Sequence, residues 1–179
     1  MDRFALQHLK EWMAKTSRKP MVIRGARQVG KSYLVRLFAK EHFENLIEVN
    51  FERARTPDLA SIFASNDPRQ IVSRLELQFN TTITPGRTLL FLDEIQAAPS
   101  VFASLRYFHE ELPELHVVAA GSLLEFALAA HDFSMPVGRI EYLHLGPMQF
   151  EEFLMALGED RLAAFLRMWT ARDAIPDAI

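Results

Sequence analysis

Met21-Val22-Ile23-Arg24-Gly25-Ala26-Arg27-Gln28-Val29-Gly30-Lys31-Ser32 is an apolar run followed by the spacing G-x-x-x-x-G-K-S. The run suits a buried strand. Between a strand and a helix, this spacing makes a phosphate-binding loop whose successive main-chain N–H groups wrap an anion above a helix N-terminus. The helix is supplied by Ser32-Tyr33-Leu34-Val35-Arg36-Leu37-Phe38-Ala39-Lys40, where apolar positions recur at helical spacing. Gly25 and Gly30 permit backbone angles and close approaches that a Cβ blocks. Lys31 is then placed to reach phosphate oxygens, and the Ser32 hydroxyl to ligate magnesium. The whole segment Gly25, Ala26, Arg27, Gln28, Val29, Gly30, Lys31, Ser32 and Tyr33 is the expected phosphate-binding stretch. The bland alternative, a glycine turn beside a surface lysine, does not account for the strand before it and the helix after it.

Downstream, Thr88-Leu89-Leu90-Phe91-Leu92 reads as a strand buried on both faces, and it ends in Asp93-Glu94. Ligands of open parallel sheets sit at the C-terminal ends of the strands. Asp93 is placed there to hold a magnesium ion opposite Ser32, and Glu94 to act as general base or orienter of an attacking water. Two carboxylates that merely cap a strand and start a helix are the alternative. Leu115-His116-Val117-Val118-Ala119-Ala120 is a further buried-strand run ending in Gly121-Ser122. A Gly-Ser turn capping a helix from Leu123 is the local reading of that ending.

The run Gly138-Arg139-Ile140-Glu141-Tyr142-Leu143-His144-Leu145-Gly146-Pro147 reads as a short strand stopped by proline, with a helix starting near Gln149. Arg139 is a candidate arginine finger, acting in this or a neighbouring subunit as a planar cation that neutralises charge on a transferring phosphoryl group. A solvated arginine in an ion pair is the competing reading.

Together the Walker A loop, the Asp-Glu Walker B strand, the Gly-Ser after the next strand and the Gly138-Arg139 to Phe153 segment resemble an AAA+ ATPase domain. More narrowly, the wording around Arg27-Gln28, Leu92-Asp93-Glu94-Ile95-Gln96 and Gly138-Arg139 is similar to a prokaryotic group of uncharacterised AAA+ ATPases. Longer members of that group carry a C-terminal domain with winged-helix and nuclease-like parts. The resemblance implies an α/β fold: a P-loop NTPase three-layer sandwich with a parallel sheet of order 5-1-4-3-2. It implies a nucleotide-binding core over residues 1–148 and the beginning of a helical lid over 149–179. It gives Lys31, Ser32, Asp93 and Glu94 the roles stated, and makes Ser122 a sensor of the γ-phosphate or attacking water. It implies Mg²⁺ and ATP as ligands, with hydrolysis moving the lid or a partner. An ATP-dependent switch with little turnover is the alternative. Against relatives of this kind the chain stops early, at Ile179, and reads as a fragment.

Composition agrees with a single compact domain. The chain has 179 residues, 49% hydrophobic and 24% charged, enough for a sizeable core but short for two domains. It lacks an apolar run long enough for a membrane span, and Phe4, Leu6, Leu9, Trp12 and Met13 open an amphipathic helix in place of a signal-peptide core. The absence of cysteine fits a cytoplasmic setting. A net charge of −3 offers nucleic acid no general attraction, so any such contact falls to local patches. The basic residues Arg18, Lys19, Arg24 and Arg27 have local work near the loop. No N-K-x-D run marks a guanine site, which favours ATP. The six histidines lack paired metal-ligand spacing and read as structural or surface. A homo-oligomer and an unidentified protein client are left open, and so is the place of the adenine.

Overall fold

The apolar residues of this chain divide between the two faces of one parallel sheet. The computed structural model describes residues 3–52, 59–122, 124 and 138–170. Along the chain run α1 (Phe4–Ala14), β1 (Met21–Gly25), α2 (Lys31–His42), β2 (Asn45–Asn50), α3 (Leu59–Ile62), α4 (Pro68–Phe79), β3 (Thr88–Asp93), α5 (Pro99–Glu111), β4 (His116–Ser122), β5 (Glu141–His144), α6 (Phe150–Ala156) and α7 (Asp160–Met168). Short 3₁₀ turns follow α3 at Phe63–Ser65 and β3 at Ile95–Ala97. The strands lie in the order β2-β3-β4-β1-β5 with every pairing parallel, which is the order expected.

Side-chain alternation explains the layering. In β3, Leu89 and Phe91 face one way and Leu90 and Leu92 the other; in β4, Val118 and Ala120 oppose Val117 and Ala119. The Leu89–Phe91 face packs on α1 and α2 through Leu9, Trp12, Leu34, Val35 and Phe38. The Leu90–Leu92 face packs on α4 and α5 through Ile71, Leu75, Phe102, Leu105 and Phe108. Burial of a Leu or Phe side chain stabilises by about 1.5–3 kcal/mol. A charge placed at Phe91, fully buried in the middle of the sheet, therefore strikes where the fold depends most on burial.

Helix starts and stops follow local chemistry. Asp67 caps α4 by accepting the backbone N–H groups of Arg69 and Gln70 at 2.9 and 3.2 Å, and Pro68 takes the first helical position. The turn Ser65 to Pro68 thus includes the start of the helix. The stretch Phe150 to Met168 is two helices broken at Leu157 to Glu159. There Gly158 adopts φ +82° and its N–H donates to Met155 O at 3.1 Å. Most of the helix expected from Leu123 lies outside the described residues, as does the chain end at Ile179. No helix among the described residues is long and apolar enough to cross a membrane.

This topology brings Gly25, Asn50, Asp93 and Ser122, the last residues of β1, β2, β3 and β4, to one sheet edge. Register makes the convergence explicit: Gly25 is opposite Ser122, and Asn50 is opposite Asp93.

Candidate nucleotide site

The turn from β1 into α2 has the backbone that the glycine spacing calls for, though not for one uniform reason. Gly30 is left-handed at φ +92° and forms the N-cap of α2. Gly25 is needed for packing: a Cβ there would collide with the Leu145 carbonyl oxygen, where the chain leaves β5. Gln28, at φ 63°, is a non-glycine residue in the same left-handed region. Ala26, Arg27 and Gln28 are exposed along the crest of the loop, and Tyr33 is exposed one turn into α2.

Lys31 is 93% buried, and its Nζ donates to the carbonyls of Gly25 at 3.2 Å and Ala26 at 2.7 Å. Burial holds its pKa below the ordinary lysine value, while Glu94 and Asp93 push it upward and Arg27 pushes it down. The ammonium thus lies under the loop, within the concavity that the main chain makes.

Ser32 and Asp93 meet although 61 positions separate them. Ser32 Oγ lies 3.0 and 2.9 Å from the two Asp93 carboxylate oxygens. The Asn50 amide donates to Asp93 Oδ2 at 3.3 Å, and the Glu94 N–H to Oδ1 at 3.1 Å. Asp93 is buried, and that burial raises its pKa; the Ser32 bond opposes the rise and Glu94 adds to it. A buried carboxylate beside a hydroxyl is a hard-oxygen pair short of positive charge. That donor set fits Mg²⁺ completed by phosphate oxygens and water.

Glu94 turns off the end of β3 in a left-handed conformation, φ 54° and ψ 43°. Its carboxylate accepts the Gln96 amide at 2.5 Å. The same amide group of Gln96, through Oε1, accepts the Ser122 N–H at 3.2 Å. Gln96 therefore bridges the ends of β3 and β4. Gly121 makes room for it, since a Cβ there would come within 2.6 Å of Gln96 Oε1. Ser122 is the buried last residue of β4, lying between β1 and β3; the helix it was expected to cap falls mostly outside the described residues.

Arg139 is placed elsewhere. It precedes β5, whose first residue Glu141 pairs with Met21 at the opposite end of β1 from the loop. The run from Met21 to Gly25 alone spans about 13 Å at strand rise. Arg139 Nε donates to Glu110 Oε1 at 2.8 Å on an exposed surface. Within one chain the ion pair is what forms, because the side chain starts from the end of the sheet away from the loop; an action of Arg139 on the site of a neighbouring subunit is a separate expectation.

Sequence reasoning missed Asn50, the bridging part of Gln96, and above all Arg3 and Glu152. Arg3 Nε donates to Glu152 Oε1 at 3.1 Å, Nη1 to Val29 O at 3.0 Å and Nη2 to Gly146 O at 3.0 Å. Glu152 also accepts the N–H groups of Phe4 at 2.7 Å and Gln149 at 2.8 Å. The second of these, with the Gln149 side chain on the helix, forms a capping box for α6. One cue was present: a charged residue next to the start of an amphipathic helix. Nothing local said where it would point.

A five-stranded parallel sheet of this order, with a glycine loop leading from β1 into a helix, is the P-loop NTPase architecture. The chain belongs to the AAA domain family, which it matches over residues 17–154. Fold and family together support nucleotide binding. The sequence matches none of the curated proteins. Among solved structures, it is similar to a chain in the structure of Drosophila ORC bound to DNA, with TM-score 0.51 and 17% identity over 79% of this chain and 89% of that one. That likeness concerns the fold. A DNA replication initiation factor aligns with TM-score 0.48 and 14% identity, over 92% of this chain and 51% of that one.

Proposed function

We propose that this chain binds Mg-ATP and hydrolyses it. The observation that carries the reading is the meeting of Ser32 and Asp93 beneath a loop closed by Gly30, with Lys31 buried in its concavity. In this reading the loop N–H groups and Lys31 hold the β- and γ-phosphates. Ser32 and Asp93 hold magnesium, which when bound neutralises charge on the phosphates. Glu94 orients water for attack on the γ-phosphate, and Ser122, at the end of the strand between the two Walker strands, senses it. Arg139 of the same chain has no part. The helices α6 and α7 act as the start of a lid over residues 149–179 whose position depends on the nucleotide. Kinship with the narrower prokaryotic group belongs to the same proposal and rests on the Arg27-Gln28 and Gln96 wording.

A second reading is favoured by one contact. The Gln96 amide donates to the Glu94 carboxylate at 2.5 Å, and a carboxylate so engaged is a poorer base. On that reading the domain is a nucleotide-dependent switch with little turnover. Steady-state hydrolysis and calorimetric binding of Mg-ATP on wild type and Glu94→Gln separate the two. Hydrolysis predicts a loss of about 10²-fold or more in turnover with affinity kept. Equal, negligible turnover in both proteins with binding intact assigns the switch. No binding by folded wild type ends both readings.

A further inference from the structure

Arg3 stands at the start of α1, outside the stretch that the nucleotide motifs cover, yet it reaches the loop. Its guanidinium is 93% buried and serves three acceptors on three segments: Val29 O in the loop, Gly146 O after β5, and Glu152 in α6. A planar fork suits three divergent acceptors; an ammonium on a lysine stem does not reproduce it. Glu152 is 97% buried and spends its second oxygen on the Gln149 N–H, so the pair is fully engaged. Burial pushes the Glu152 carboxyl up, but the Gln149 and Phe4 N–H groups and Arg3 together bring it below its ordinary value.

The contact with Val29 has a geometric consequence. The described peptide bonds are all trans, so the Val29 carbonyl and the Gly30 N–H lie in one plane and point in opposite directions across the chain. Tying the carbonyl to Arg3 on one side of the loop therefore directs the Gly30 N–H to the other. Gly30, at φ +92° and without a Cβ, does not by itself hold that plane.

We propose that Arg3 is a positioning residue for the phosphate loop: it aims the Gly30 N–H into the cradle, and through Glu152 it couples the shape of the loop to α6. This rests on the nucleotide-binding reading above and deepens it. Nucleotide that demands the loop geometry stabilises the Arg3–Glu152 arrangement, and loss of that arrangement loosens the loop.

The test uses the full chain as wild type, Arg3→Lys and Glu152→Gln, with Mg-ATP as probe. Arg3→Lys keeps the buried charge and so limits the penalty of leaving Glu152 unpaired. Calorimetry gives affinity, and amide hydrogen exchange is followed at Gly30 and Lys31, along α6 and in β3. The expected result is Mg-ATP affinity weakened at least tenfold in both variants. Exchange should be faster at Gly30 and Lys31 with β3 unchanged, and nucleotide-induced protection of α6 should be seen only in wild type. Wild-type affinity in the variants overturns the positioning role while leaving nucleotide binding in place. So does weakened affinity accompanied by faster exchange in β3, which marks a general loss of stability. Absence of binding by wild type overturns the nucleotide reading and this one together.

Discussion

Glu94 holds a left-handed backbone that costs a non-glycine residue on the order of 1–3 kcal/mol, and the structure offsets that strain through the contacts around it. Its N–H returns to Asp93 and its carboxylate meets Gln96, which in turn takes the Ser122 N–H. Gln96 thus fixes where the carboxylate points relative to the end of β4. Removing the amide in Gln96→Ala is expected to lower kcat about tenfold with KM unchanged, since the phosphate contacts are untouched. Steady-state kinetics decide it, and a rise in kcat would instead identify Gln96 as a restraint and favour the switch. The bridge depends on Gly121 being a glycine, a dependence that only the packed strands expose.

The C-terminal pair of helices shows how an element boundary is set. α6 opens on the Gln149 and Glu152 capping box and closes at Gly158, whose left-handed φ of +82° lets its N–H and that of Glu159 turn back to Met155 and Leu154 carbonyls. Gly158→Ala keeps space available, because nothing lies within 4 Å of the added Cβ, yet forces an L-residue into that conformation. A loss of about 1 kcal/mol in unfolding free energy is expected, read as a lower urea midpoint at constant m-value. Salt bridging between Arg167 Nε and Glu151 Oε2 at 3.1 Å joins the two helices across the break on an exposed face, where such a pair contributes little.

For the molecule as a whole, His116 links stability to pH. It sits buried at the start of β4, edge-on to the rings of Trp12 and Phe43, near Arg18 and hydrogen bonded to the Met13 backbone. Burial first, and the Arg18 guanidinium second, lower its pKa from 6.5 to about 4 against the opposing Met13 bond. Between those values the unfolded chain binds a proton that the folded chain refuses. Stability therefore rises with pH through this window and is lost as pH falls toward about 4. Denaturant titrations should show that slope in wild type and a shallower one in His116→Phe; identical slopes would remove His116 from the account. The strands and the Ser32–Asp93 pairing were legible in the chain because each rests on a local pattern: apolar runs buried on both faces, a glycine spacing, carboxylates at a strand end. The order of the strands follows from no such pattern and was expected only from the resemblance to AAA+ domains. The place of Arg139 was not legible for the converse reason, since a sequence shows that an arginine precedes a strand but not which end of the sheet the strand starts from. Arg3 and Glu152 stand 149 positions apart, and the grip of Arg3 on Val29 follows from no periodicity or motif. Local chemistry dictates where backbone bends and which faces are apolar; which distant charges share one buried hole is settled when the layers close and water leaves, because only then does an unpaired ion become costly.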